Sequence, residues 1–187
     1  MAQRAATHWE PLWQEGRRYR PLDPWEEETL AHQAGLGRGR PALDVGCGEG
    51  ALAWHLHRSL GYQVTALDCS PTALANAAAV HTGGGVDFRL MDFETDDLDQ
   101  LPYSGYALIA CRLVYRWVPD KSAFLSRIRQ LLAPGGVFWV ATSLHHPQGG
   151  EAKPWELPEG DTKLLTTGWS EVHTRTVGNY CCYALHL

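Results

Sequence analysis

The sequence predicts an α/β protein in which a mostly parallel sheet is covered by helices. Three observations carry this reading. Strand-like and helix-like segments alternate from residue 41 onward. The first such pair is joined by a glycine-rich turn, Leu43-Asp44-Val45-Gly46-Cys47-Gly48-Glu49-Gly50. The chain then closes on two strands flanking Val177-Gly178-Asn179, a plausible hairpin turn. The 187 residues are enough for one domain with a substantial core.

Taken in order, Thr7 and Glu10 have the spacing of a capping box for a short helix carrying Trp9, Leu12 and Trp13. Asp23-Pro24 with Glu26 marks a second helix to about Ala34. Two short amphipathic helices cannot build a core alone, so residues 1–40 are expected to fold as a helical cap over residues 41–187. Beyond the first strand, Gly46 and Gly48 permit backbone conformations that side chains forbid, and a helix follows from Ala51. Gln63 to Leu67 reads as a second strand ending at Asp68, and Ser70-Pro71 opens the next, alanine-rich helix. Val86 to Leu90 and Tyr106 to Ala110 read as the third and fourth strands. Phe124, Leu125, Ile128, Leu131 and Leu132 form one helical stripe, followed by Ala133-Pro134-Gly135-Gly136 and a fifth strand over Val137 to Ala141. Ser143 to Pro158 is longer than most connections and rich in proline and glycine, which makes it a candidate functional loop. Asp161 is expected to cap a short helix, and Trp169 to Thr176 and Tyr180 to Leu187 complete the sheet.

The net charge of -5 gives no overall basic field for nucleic acid. Arg17, Arg18, Arg20, Arg38 and Arg40 do cluster, but Glu10, Glu15, Asp23, Glu26, Glu27 and Glu28 offset them in sequence. No apolar run approaches the ~18 residues of a membrane helix, and no apolar signal core opens the chain, so a soluble cytoplasmic protein without membrane contact is expected. Cys47, Cys69, Cys111, Cys181 and Cys182 lack the paired spacing of zinc sites, and adjacent Cys181 and Cys182 should face opposite sides of a strand. Neither disulfides nor a metal are expected.

The glycine turn does not match a dinucleotide fingerprint, because its third glycine arrives one residue early. The acid at the strand end, Asp44, would repel a pyrophosphate and favour a ligand carrying positive charge. Here the chain resembles the class I S-adenosylmethionine-dependent methyltransferases, through motifs in register over roughly residues 41 to 142. The resemblance implies a Rossmann-like three-layer sandwich with a seven-stranded, mostly parallel sheet ending in an antiparallel hairpin. It implies S-adenosylmethionine as cofactor, held by Asp44, Gly46, Cys47 and Gly48. Asp68 would take the ribose hydroxyls and Asp92 the adenine amino group, with Phe93 and Cys69 beside the ring and Cys111 at the end of the fourth strand.

Methyl transfer from a sulfonium is an in-line displacement, so the protein must exclude water and hold a nucleophile near the methyl carbon. Residues following the fourth and fifth strands are the natural candidates. His145, His146 and Tyr115 are the candidate catalytic residues, His145 first because imidazole titrates near neutral pH. Arg112 or Arg116 could hold a substrate anion, or else pair with nearby acids. Trp13 and Tyr19 could close over the site, or else pack the cap. The strand-four segment Ala110-Cys111-Arg112-Leu113 lacks the Asn/Asp-Pro-Pro-Tyr/Phe signature of amino-methyltransferases. A small-molecule acceptor, methylated on oxygen or nitrogen, is therefore expected, ahead of RNA, protein, or a non-catalytic cofactor-binding role. Oligomeric state is open.

Overall fold

The computed structural model describes residues 5–145, 151 and 153–187. Its elements follow the order α1 (Ala5–Gln14), α2 (Pro24–Ala34), β1 (Pro41–Val45), α3 (Ala51–Arg58), β2 (Gln63–Asp68), α4 (Pro71–Val80), β3 (Val86–Leu90), β4 (Tyr106–Arg112), α5 (Lys121–Leu131), β5 (Leu132–Leu144), β6 (Glu156–Leu157), α6 (Glu159–Thr166), β7 (Glu171–Val177) and β8 (Tyr180–His186). Two 3-10 turns, Leu98–Gln100 and Tyr115–Trp117, flank β4.

The strands lie in the order β3-β2-β1-β4-β5-β8-β7, with β6 paired to β5 beside that path. All neighbours are parallel except β5–β8 and β8–β7. The sheet thus has the expected parallel core and closing hairpin, plus an eighth strand of two residues inside the proline- and glycine-rich loop. Leu108 pairs with Val137 while Tyr106 pairs with Leu132, an irregularity that absorbs Ala133 to Gly136 into the start of β5.

Side-chain alternation divides the core. Leu43, Val45, Ile109, Phe138, Val140 and Cys181 pack on one face with Phe124, Leu125 and Ile128 of α5 and Leu165 of α6. Ala42, Leu108, Ala110, Trp139 and Cys182 pack on the other with Leu30 of α2 and Leu52, Ala53 and Leu56 of α3. Helices therefore cover both faces, and the two neighbouring cysteines point apart. By the same period-two alternation, Asp44 of β1 and Arg112 of β4 belong to the α2–α3 face.

Helix starts show which local signals hold. Asp23 caps α2 in a complete capping box with Glu26, and Ser70 caps α4 by accepting from the Ala73 amide. Among the described residues Thr7 makes no capping bond: it lies within α1, which is described from Ala5, and Glu10 reaches across to α4, accepting from Ser70 Oγ at 2.5 Å and Thr72 Oγ1 at 2.6 Å. Asp161 lies within the first turn of α6, which starts after Pro158 without a side-chain cap. Among the described residues no helix is long and apolar enough to cross a membrane.

Candidate functional site

The C-terminal ends of β1, β2 and β4 converge on the glycine corner. Gly46, Gly48 and Gly50 have φ of 72°, 54° and 79°, a region that side chains strain. The amides of Gly46 and Cys47 both donate to Leu67 O at 2.8 Å, tying the corner to β2. Asp68 completes the tie, its Oδ2 accepting from Gly48 N at 2.8 Å and its Oδ1 from Ser70 N at 2.9 Å. Close approach also requires glycine here. A Cβ on Gly46 would meet Val114 Cγ2 at 2.5 Å, and one on Gly48 would meet Trp13 Cζ2 at 3.1 Å. Leu113, between Arg112 and Val114, has φ of 63°, a strained conformation for a side-chain-bearing residue.

Asp44 sits beneath this corner, 1% exposed, and among the described residues neither carboxylate oxygen has a hydrogen-bond partner within ordinary geometry. Burial pushes its pKa up to about 7; Arg112 opposes the rise and Asp68 adds to it. Burial also raises Asp68, against the amides of Ser70 and Gly48, which favour its charged form. Cys69 is pushed up to about 12 by burial and by Asp68, and the Cys47 and Cys111 thiols rise for the same first reason. All three stay neutral and behave as small apolar lining. Asp92 and Glu94 follow β3; Asp92 Oδ1 accepts from Glu94 N and Oδ2 from Ala5 N, the first described residue of α1. Phe93 turns into the core, edge-to-face with Phe124 at 5.2 Å, so its ring packs the sheet rather than lining the corner.

The N-terminal segment covers the corner in two pieces. α1 docks through Glu10 on Ser70 and Thr72 and through buried Trp13 over Gly48, with Tyr19 against Trp13 at 4.9 Å. α2 is clasped by Arg112. Its Nε donates to Glu26 Oε1 at 2.7 Å and its Nη2 to Glu26 Oε2 at 2.9 Å, while Nη1 and Nη2 reach Arg20 O and Pro21 O. Tyr180 donates its hydroxyl to the same Glu26 at 2.7 Å. Arg112, a candidate for holding a substrate anion, is thus committed to a fully buried carboxylate. Glu26 had no sequence signal beyond its place in the capping box.

At the end of β5, His145 Nδ1 lies 3.3 Å from Glu156 Oε2. Glu156 is buried on β6, where Lys153 N donates to it at 3.0 Å and Asn179 Nδ2 at 3.3 Å. The Lys153 amide, then His145 and Asn179, hold its carboxyl below the usual range against the cost of burial. Glu156 is thereby kept charged and holds the imidazole by Nδ1. Only the loop's composition pointed here, and it did not single out the acid. His146 lies outside the described residues. Tyr115 is fully buried against Phe124, its hydroxyl unpartnered among the described residues and its pKa raised by burial, which places it in the core under α5. Arg116 Nε is buried without a partner among the described residues. Trp117 is 40% exposed and meets Trp9 edge-to-face at 5.6 Å, an aromatic contact that no spacing rule anticipates.

A family model described as a methyltransferase domain matches residues 43–138, from within β1 to the middle of β5. The chain belongs to this methyltransferase domain family. It is 33% identical over 144 residues to a malonyl-[acyl-carrier protein] O-methyltransferase of Erwinia billingiae, covering 74% of this chain and 54% of that protein. It is 35% identical over 123 residues to a ubiquinone biosynthesis O-methyltransferase of Xanthomonas euvesicatoria, covering 65% and 50% respectively. The chain therefore spans about half the length of these curated relatives. The fold matches the crystal structure of a SAM-dependent methyltransferase from Aquifex aeolicus with a TM-score of 0.66 at 19% identity, covering 88% of this chain and 94% of that one.

Proposed function

We propose that this methyltransferase-family chain binds S-adenosylmethionine and transfers its methyl group to an oxygen or nitrogen of a small molecule. The observation that carries the proposal is Asp44: a buried carboxylate with both oxygens unpaired among the described residues, under a glycine corner that leaves no room for side chains. Such a group is costly unless a cationic ligand completes it. An ammonium-bearing sulfonium nucleoside meets that need, and the fit extends to Asp68 and Asp92 as acceptors for ribose and adenine donors. When bound, the cofactor supplies an electrophilic methyl carbon. The chain's own part is to bind, cover and deprotonate. Trp13 and Tyr19 exclude water over Gly48, while Arg112 holds α2 in place rather than serving as a substrate ligand.

His145 is the proposed proton acceptor, oriented through Nδ1 by Glu156 so that Nε2 can receive a proton from an acceptor hydroxyl. The printed names of the two relatives, both O-methyltransferases, support an oxygen acceptor. The five unpaired cysteines and the acidic balance fit a cytoplasmic protein. Calorimetry with S-adenosylmethionine and S-adenosylhomocysteine tests donor binding, and mass spectrometry of small-metabolite pools tests transfer. We expect micromolar donor binding and a mass gain of one methylene on a small molecule; binding of neither nucleoside by folded protein refutes the proposal.

A further inference from the structure

We propose that the methyl acceptor carries a planar aromatic ring, received on a wall formed by Trp9, Tyr19 and Trp117. This inference rests on the methyltransferase reading and specifies its substrate class. The three side chains come from α1, from the α1–α2 connection and from the 3-10 turn after β4. Trp9 meets Trp117 at 5.6 Å and 87°, and meets Tyr19 at 6.0 Å and 69°. His8 lies against Trp9 at 4.8 Å.

The wall is continuous with the glycine corner. Trp13 covers Gly48 and touches Tyr19, Tyr19 touches Trp9, and Trp9 touches Trp117. On the other side Val114, three residues before Trp117, fills the space over Gly46. The turn that presents Trp117 leaves β4 through the strained φ of Leu113. Packing alone does not account for the arrangement. Trp13 is 7% exposed, whereas Tyr19 and Trp117 retain 41% and 40% exposure beside it. Tyr19 and Trp117 thus keep aromatic surface in solvent beside a buried neighbour, and such surface favours another ring by quadrupole-matched contact.

The test separates ring chemistry from mere apolarity. With the protein saturated by S-adenosylhomocysteine, 2-naphthol and its saturated counterpart decahydro-2-naphthol are titrated by calorimetry. We expect 2-naphthol to bind about fivefold to tenfold more tightly, the effect of one or two aromatic pairs. Trp117→Leu should abolish that preference and Trp117→Phe should retain it, both with unchanged S-adenosylhomocysteine affinity and circular dichroism. Should Trp117→Leu not fold, Tyr19→Leu should likewise abolish the preference, read as the ratio of the two alcohols' affinities at saturating S-adenosylhomocysteine whatever its effect on nucleoside affinity. Equal affinity for the two alcohols, binding of neither while the nucleoside binds, or an unaltered preference in the leucine variants overturns the aromatic assignment. Failure to bind the nucleoside overturns the methyltransferase reading beneath it.

Discussion

Asp44 links the protein's stability to its ligand through a single proton. Burial raises its pKa from 3.8 to about 7, so between these values the folded, unliganded protein holds a proton that the unfolded chain has lost. Stability from this group is therefore complete below the lower value and is lost as pH rises through the upper one. A cationic ligand reverses the preference, because it favours the carboxylate. We predict that the unliganded melting temperature falls between about pH 5 and about pH 8 while donor affinity rises by up to roughly tenfold per pH unit below about 7. Asp44→Asn should flatten both dependences and weaken donor binding, as read by scanning calorimetry and titration calorimetry. A second prediction concerns proton transfer: Glu156→Gln should slow turnover while leaving donor affinity unchanged. His145→Ala should slow turnover further. Equal loss of donor binding in both variants would assign the pair a structural role in the loop.

The helices differ in how much of their behaviour sequence reveals, and the difference is one of range. Asp23 and Glu26 satisfy one another's backbone within a single turn, so their spacing is a complete statement of the α2 capping box. Thr7 and Glu10 have comparable spacing, yet Glu10 finds stronger donors in Ser70 and Thr72 on α4, which no local pattern discloses. Glu26 shows both behaviours: its capping role was legible, whereas its pairing with Arg112 and Tyr180 depends on β4 and β8 being brought beside α2. The resulting clasp makes α2 part of the domain. Arg112→Ala should destabilise the protein by up to about 3–5 kcal/mol in urea titrations, because it removes the bidentate cation from buried Glu26 and leaves only Arg20, 3.7 Å from its Oε2. An Arg112→Met, Glu26→Leu double variant should recover much of that loss, since it removes both charges together.

Across the whole molecule, the sheet was legible because its strands obey two local rules. Buried parallel strands read as apolar runs, and each ends in the turn residues its crossover needs. The two-residue β6 escaped because its pairing with Ser143 and Leu144 comes from the loop folding back, not from any strand pattern. The candidate donor site was legible at Asp44, Gly46, Gly48 and Asp68 for the related reason that consecutive strand ends carry it. Of the aromatic wall only Tyr19 was a candidate from sequence, and Trp9, Trp117 and Glu156 were not, because they assemble from segments with no shared periodicity. Charge is also distributed differently in three dimensions than along the chain. Arg18 pairs with Glu49, Arg20 with Asp23 and Glu26, and Arg40 donates to the carbonyls of Leu36 and Gly37. Much of the arginine-rich N-terminal stretch is thus committed to partners within the chain, most of them local, rather than presented as a track for phosphates. A nucleic-acid substrate would require several free cations and would lose affinity steeply with salt. We predict instead that single-stranded RNA oligomers show no saturable binding at about 0.15 M salt, where the Debye length is about 8 Å, and that turnover of the small-molecule acceptor changes less than about twofold between 50 and 200 mM salt. Fluorescence anisotropy with labelled RNA and a salt series of initial rates test the two statements. A steep decline of both with salt would mean that the arginines leave their intramolecular partners to meet a polyanion.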